Sequence, residues 1–267
     1  MKKAIIFILI FLTFCALSCI GALTENPIWI CTGVIASAIL GSLISIVFTS
    51  VDNHGQGWRL WFQHIKYWNK EIRLSFSYLF RIQVDGKYLL VKGNKLKKQY
   101  QPVGGVYKYY DESKPTLESF NFRPDTKMGN TSETDDLRIY IKGKYLLKFI
   151  DWFNSMRDRE YDPMREFREE LIVSRLLPED VFSGFEYRKV YVHDKGVQYS
   201  PYMQCDEFVY ADIFDVKLST YQKTAIKQAV EMHPDILCLA SADELKSECY
   251  NGIERNLGNN SKWLLGE

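Results

Sequence analysis

At 267 residues, with 34 basic and 33 acidic side chains, the chain carries a formal net charge of +1. No global field favours nucleic acid, so neither DNA nor RNA is expected as a partner. Cys15, Cys19 and Cys31 fall in apolar runs, and Cys205, Cys238 and Cys249 are widely spaced with no C-x-x-C pair, which excludes a disulfide framework or zinc site and leaves reduced, buried thiols.

Two apolar runs open the chain, from Ala4 to about Thr24 and from Ile28 to about Thr49. Each is roughly 20 residues long without a charge, enough to cross a bilayer core of about 30 Å. Only Glu25, Asn26 and Pro27 separate them, so residues 1–50 are expected to form a transmembrane helical hairpin with spans at about 4–24 and 28–49. Lys2 and Lys3 precede the pair, and Arg59, Lys66, Lys70 and Arg73 follow it. Basic flanks stay in the cytoplasm, which gives a multi-pass inner-membrane protein with both termini cytoplasmic. A cleaved signal ending near Ala16-Leu17-Ser18-Cys19 is the competing pattern. The second full-length run argues against it. Gly33, Ala36, Ala38 and Gly41 place small residues along that run, where they permit close helix contact and self-assembly into a homo-oligomer.

Residues 51–76 read as a juxtamembrane linker helix. Trp58, Trp61, Phe62, Ile65, Trp68 and Ile72 recur at three- and four-residue spacing. Interleaved Lys and Arg suit the headgroup boundary, although the same face could pack on a soluble core. His64 belongs to this helix's surface rather than to a ligand set. Residues 77–267 then supply one sizeable domain. Tyr78 to Lys92 reads as a hairpin turning at Asp85-Gly86, and Lys95 to Lys98 as a basic loop. Gln101-Pro102-Val103-Gly104-Gly105-Val106-Tyr107 joins a turn to an aromatic strand, and residues 111–135 form an irregular insertion.

A short strand follows at Leu137–Ile141, then helices over Tyr145 to about Met156 and from Asp162-Pro163 to about Arg175. Strands at Glu186–His193 and Phe208–Val216, a helix at Thr220–Met232, a strand near Ile236–Ala240 and a helix at Ala242–Cys249 complete the pattern. It predicts an α/β (α+β) sandwich around one mixed sheet.

Arg165-Glu166-Phe167-Arg168-Glu169-Glu170-Leu171 is the sharpest local feature. On an α-helix the carboxylates of Glu166, Glu169 and Glu170 share a face, and three like charges there need a cation. Mg²⁺ is one solution. Arg165 and Arg168, pairing with those same glutamates, are the other.

Arg165 to Glu170 resembles the core of the Nudix box, and the hairpin with Gln101 to Val106 resembles the strand and Gly-Gly turn that lead into it. The resemblance implies metal-binding roles for Glu166, Glu169 and Glu170, with Arg165 orienting them. An ordinary box keeps its glycine and first glutamate close before the arginine; here Gly105 lies sixty positions ahead, Arg157 occupies the glutamate position and Ile172 the later glycine. Together with the hairpin, the stretches Tyr78–Lys92, Tyr100–Tyr107 and Arg165–Leu171 resemble the SMODS-associated Nudix effectors of cyclic-oligonucleotide anti-phage (CBASS) systems.

That resemblance implies a cytosolic domain that senses a cyclic nucleotide second messenger, and a hairpin that assembles in the lipid bilayer and breaches it in abortive infection. Phe80 and Tyr107, with Tyr109 and Tyr110, offer rings to the bases. Arg81, Arg123 and Arg165, with Lys108, offer cations beside Gly104 and Gly105. A divergent box points to ligand binding without turnover. The alternative is a membrane-tethered Mg²⁺-dependent nucleotide pyrophosphohydrolase, and a third reading is a scaffold that binds another protein.

Overall fold

The computed structural model describes residues 57–93, 99–128 and 135–266. The expected spans at 4–24 and 28–49 and the basic loop lie outside these residues, and among the described residues no helix is long and apolar enough to cross a membrane. The chain divides into two compact units, Met1–Phe62 and Gln63–Glu267. Helix α1 (Gly57–Lys66) bridges that boundary, and among the described residues the strands belong to the second unit.

The linker helix stops at Lys66 rather than running to residue 76, because strand β1 (Glu71–Arg81) begins where the helical spacing was read on. Ile72 satisfies both periodicities. In β1 it is one of five alternating residues, with Leu74, Phe76, Tyr78 and Phe80, that are each 0% exposed. Alternation of two sends all five to one face, and their bulk suits a strand covered on both sides. Against that face pack Phe149 and Phe153 of α3 (Leu146–Asn154) and Phe167 of α4 (Met164–Phe167). Phe76 lies 4.5 Å from Phe153 and Phe80 5.5 Å from Phe167, ring centre to centre.

Six strands form the main sheet. The β6 (Arg123–Pro124), β7 (Arg138–Lys142), β1, β9 (Cys205–Lys217) and β8 (Glu186–Ser200) strands lie in that order, and β5 (Gly104–Val106) extends β7's edge of β1. β1 and β9 run parallel while every other pair is antiparallel, so the sheet is mixed as expected.

The single-sheet expectation is corrected by a second, four-stranded sheet: β10 (Leu237–Ala240), β3 (Lys87–Lys92) and β2 (Gln83–Val84), with β4 (Tyr100–Pro102) on β3. The hairpin does turn at Asp85-Gly86, but its first strand is not continuous with Leu79–Phe80. The chain leaves the first sheet at Arg81 and enters the second at Gln83. Leu79, on β1's other face, joins Leu90, Ile213, Cys238, Leu245 and Leu264 in the core between the sheets.

Helix α5 (Thr220–Met232) has the predicted bounds because Ser219 and Gln222 close a capping box around its first turn. The irregular insertion carries a short helix, α2 (Lys114–Ser119), and the edge strand β6. Cys205, Cys238 and Cys249 are free thiols, of which only Cys238 is buried. His64 is half-buried, with Nδ1 3.0 Å from the Gly143 carbonyl, and burial holds its pKa below the ordinary imidazole value.

Candidate functional site

Gly105 lies sixty positions before Arg165, yet Arg165 meets the Gly-Gly strand at the Val106 carbonyl. The intervening segment is pinched closed at its base. Glu160 N–H donates to the Lys108 carbonyl at 2.8 Å, Lys108 N–H donates to Glu160 Oε2 at 3.1 Å, and Tyr110 N–H donates to the Asp158 carbonyl at 3.0 Å. The segment therefore leaves and returns at one point. What lies between builds β6, β7 and α3 onto the edge and face of the sheet.

Arg165 is the hub of the rejoined motif. Its Nε donates to Glu160 Oε1 at 2.8 Å and NH1 to Glu166 Oε1 at 2.7 Å, while NH2 reaches the Val106 carbonyl at 3.1 Å. A planar guanidinium serves three directions at once where an ammonium could not. Gly104 N–H donates to Glu170 Oε2 at 3.2 Å. Gly105 has no side chain because a Cβ there would strike the Glu166 carboxylate. The Gly-Gly turn and the acidic helix are thus built against one another.

Beyond Phe167 the helix widens into a π-helix over Arg168–Val173. Its i→i+5 bonding turns the chain less per residue than an α-helix does, yet Arg165 NH1 still lies 2.7 Å from Glu166 Oε1 and 3.4 Å from Glu169 Oε2. Glu166 points inward, where burial pushes its carboxyl above the usual range against the pull of Arg165. The Glu169 side chain is 56% exposed and only 3.4 Å from Arg165. Among the described residues no three His, Cys, Asp or Glu side chains are placed to hold one ion. Glu166 is engaged by Arg165 and Glu170 by Gly104, so a metal here would have to draw these carboxylates from their present partners.

The other expected ligand residues do not converge on this motif. Phe80 is 0% and Tyr107 2% exposed, so neither ring has a face open for a base. Tyr107 OH instead donates to the buried Asp212 at 2.7 Å, joined there by Tyr210 OH at 2.9 Å and Lys189 Nζ at 2.7 Å. Arg81 pairs with Asp215 on the opposite face of β1. Arg123 forks onto Glu71 and stacks over Tyr140 at the register of Arg73, six residues along β1 from Leu79, which pairs with Gly104. Sequence reasoning missed Glu160 and Asp212. Glu160 carries one signal in the sequence, an acid five positions before Arg165 rather than the eight of an ordinary box.

A family model for the SMODS-associated NUDIX domain matches residues 71–265. The chain belongs to this family. No curated protein matches it closely. The SMODS-associated NUDIX domain begins with the first residue of β1 and ends in the C-terminal 3₁₀ turn Asn259–Leu265, so the inserted segment lies within it.

Gly104 tests how firmly the NUDIX turn is built. Its φ is +149°, and a Cβ would collide with the Tyr78 carbonyl in the central strand, which cannot yield. Gly104→Ala should lower stability by about 2–3 kcal/mol. Gly184→Ala, at a site with open space, should leave the melting curve unchanged.

Proposed function

We propose that this chain is a membrane effector of a cyclic-oligonucleotide anti-phage system. Its SMODS-associated NUDIX domain senses a cyclic nucleotide made during infection, and its N-terminal hairpin assembles in the inner membrane and disrupts it. The reading is supported above all by the use made of Arg165. The box arginine ties Glu160 and Glu166 to the Gly-Gly strand, as a rigid sensor requires, and two span-length apolar runs precede the domain in the sequence.

Growth and membrane integrity test it in cells that make the chain and an inducible cyclic-nucleotide synthase. Induction should arrest growth and admit an impermeant dye. Ala36→Glu or Gly41→Glu should abolish both effects, whereas the double variant Glu169→Gln, Glu170→Gln should retain them. All three box glutamates are retained in the sequence, which favours a second reading as a nucleotide pyrophosphohydrolase. Mg²⁺-dependent cleavage of nucleoside diphosphate derivatives, lost together with killing in that double variant, would establish the hydrolase instead.

A further inference from the structure

With Phe80 and Tyr107 sealed in the core, a base needs other rings, and the far end of the β8–β9 hairpin supplies them. A cleft of about 490 Å³ opens there between β8, the turn after it and the C-terminal Asn259–Leu265 segment. One wall is a preformed aromatic stack: Trp263 lies on His193 with 4.3 Å between ring centres and 14° between planes. Tyr199 and Tyr202 also line the cleft, and these two rings are 63% and 61% exposed. Both rings are therefore open to a ligand entering the concavity.

The polar lining is as specific as the rings. Lys195 brings an ammonium group, Lys262 brings a second that is paired with Glu248 Oε1 at 2.7 Å, and Gln198 and Asn259 bring amides able both to donate and to accept. Glu207 also lines the cleft, and its Oε2 is 3.0 Å from the Arg73 guanidinium, which it shares with the buried Asp125. The backbone of this wall is fixed in advance. Gly196, at φ +74°, donates to Asp194 Oδ1 at 2.6 Å, and Val197 N–H donates to Gln63 Oε1 at 2.9 Å. A preorganised wall reduces the entropy lost on binding.

Rings for stacking, an ammonium group for phosphate and amides for base edges are together the chemistry that recognises a nucleotide. The volume lies within the range of about 300–1,000 Å³ found for small-molecule sites. We infer that this cleft, and not the Gly-Gly turn, is where the domain binds its nucleotide. A base lies against Tyr199, Tyr202 and the Trp263–His193 stack, and phosphate lies at Lys195. The inference rests on the sensor reading and gives it a location.

Calorimetric titration of the full chain in detergent micelles tests it, with 3′,3′-linked cyclic di-AMP, cyclic di-GMP and cyclic tri-AMP as probes and linear pApA as control. At least one cyclic probe should bind. The double variant Tyr199→Ala, Tyr202→Ala and the single variant Lys195→Ala should each raise its Kd tenfold or more while leaving the ligand-free melting temperature unchanged. Affinities within twofold of the parent's in both variants would overturn the cleft and leave the sensor reading standing. A parent chain that binds none of the three probes would overturn both.

Discussion

Replacing Arg165 with leucine should lower the melting temperature of the chain by about 6–12 °C. Two acids then lose their partner: the Glu160 side chain, 9% exposed, and the Glu166 side chain, 20% exposed. Stranding buried carboxylates in this way costs about 3 kcal/mol, and a domain of this size melts roughly 2–4 °C lower per kcal/mol. Arg165→Lys should recover less than half of the loss. One ammonium cannot reach Glu160, Glu166 and the Val106 carbonyl together.

The loss should also depend on pH. Burial already raises the Glu166 pKa in the parent, so the folded chain holds that proton more tightly than the unfolded chain does. Stability from such a group is present below its unfolded pKa and is lost as pH rises through the folded value. Without Arg165 that folded value climbs further. The difference between Arg165→Leu and the parent should therefore widen from pH 5 to pH 8. A constant difference across that range would assign the effect to packing of the arginine stem instead of its charge.

The segments legible in the sequence are those whose local and tertiary preferences agree. Ser219 and Gln222 cap α5 by side-chain chemistry available to any reader of the sequence, and Asp85-Gly86 turns because Asp85 and Gly86 both adopt positive φ. Ile72 shows the opposite case. Its spacing from Trp68 fits a helix and its spacing from Leu74 fits a strand, and only pairing with β7 and β9 decides between them.

The candidate site divides along the same line. Gly104, Gly105, Arg165, Glu166 and Glu170 are recognisable as a motif, and the structure brings them together. Their long separation hides the pinch at Lys108 and Glu160, which is closed by backbone bonds and by one from Lys108 N–H to the Glu160 carboxylate across more than fifty positions. Sequence does not separate the core roles of Phe80 and Tyr107 from a ligand-binding role, because an aromatic ring looks the same whether it fills a core or stacks on a base. The exposed Tyr199 and Tyr202 sit in a stretch past His193, where the strand was expected to end. In the structure β8 continues to Ser200 through an irregularity between Asp194 and Val197.

Arg73→Met should destabilise the domain by about 4 kcal/mol. Arg73 sits on the polar face of β1 with its side chain 6% exposed, and its Nε donates to Asp125 Oδ2 at 2.7 Å. The Asp125 side chain is 0% exposed, so removal of the guanidinium leaves a carboxylate with no access to water. Glu207, the second partner at 3.0 Å, is partly exposed and should tolerate the loss. Adding Asp125→Leu to Arg73→Met should restore at least half of the lost stability, since a buried pair exchanged for apolar side chains is often close to neutral. The recovery will be incomplete because Asp125 Oδ1 also accepts the Lys127 N–H at 3.1 Å. Melting curves of the two single variants and the double variant make the comparison. If the double variant is as unstable as the sum of the singles, the ion pair is not what ties the inserted segment to the central strand, and the backbone bond from Asp125 N–H to the Arg138 carbonyl must carry that attachment.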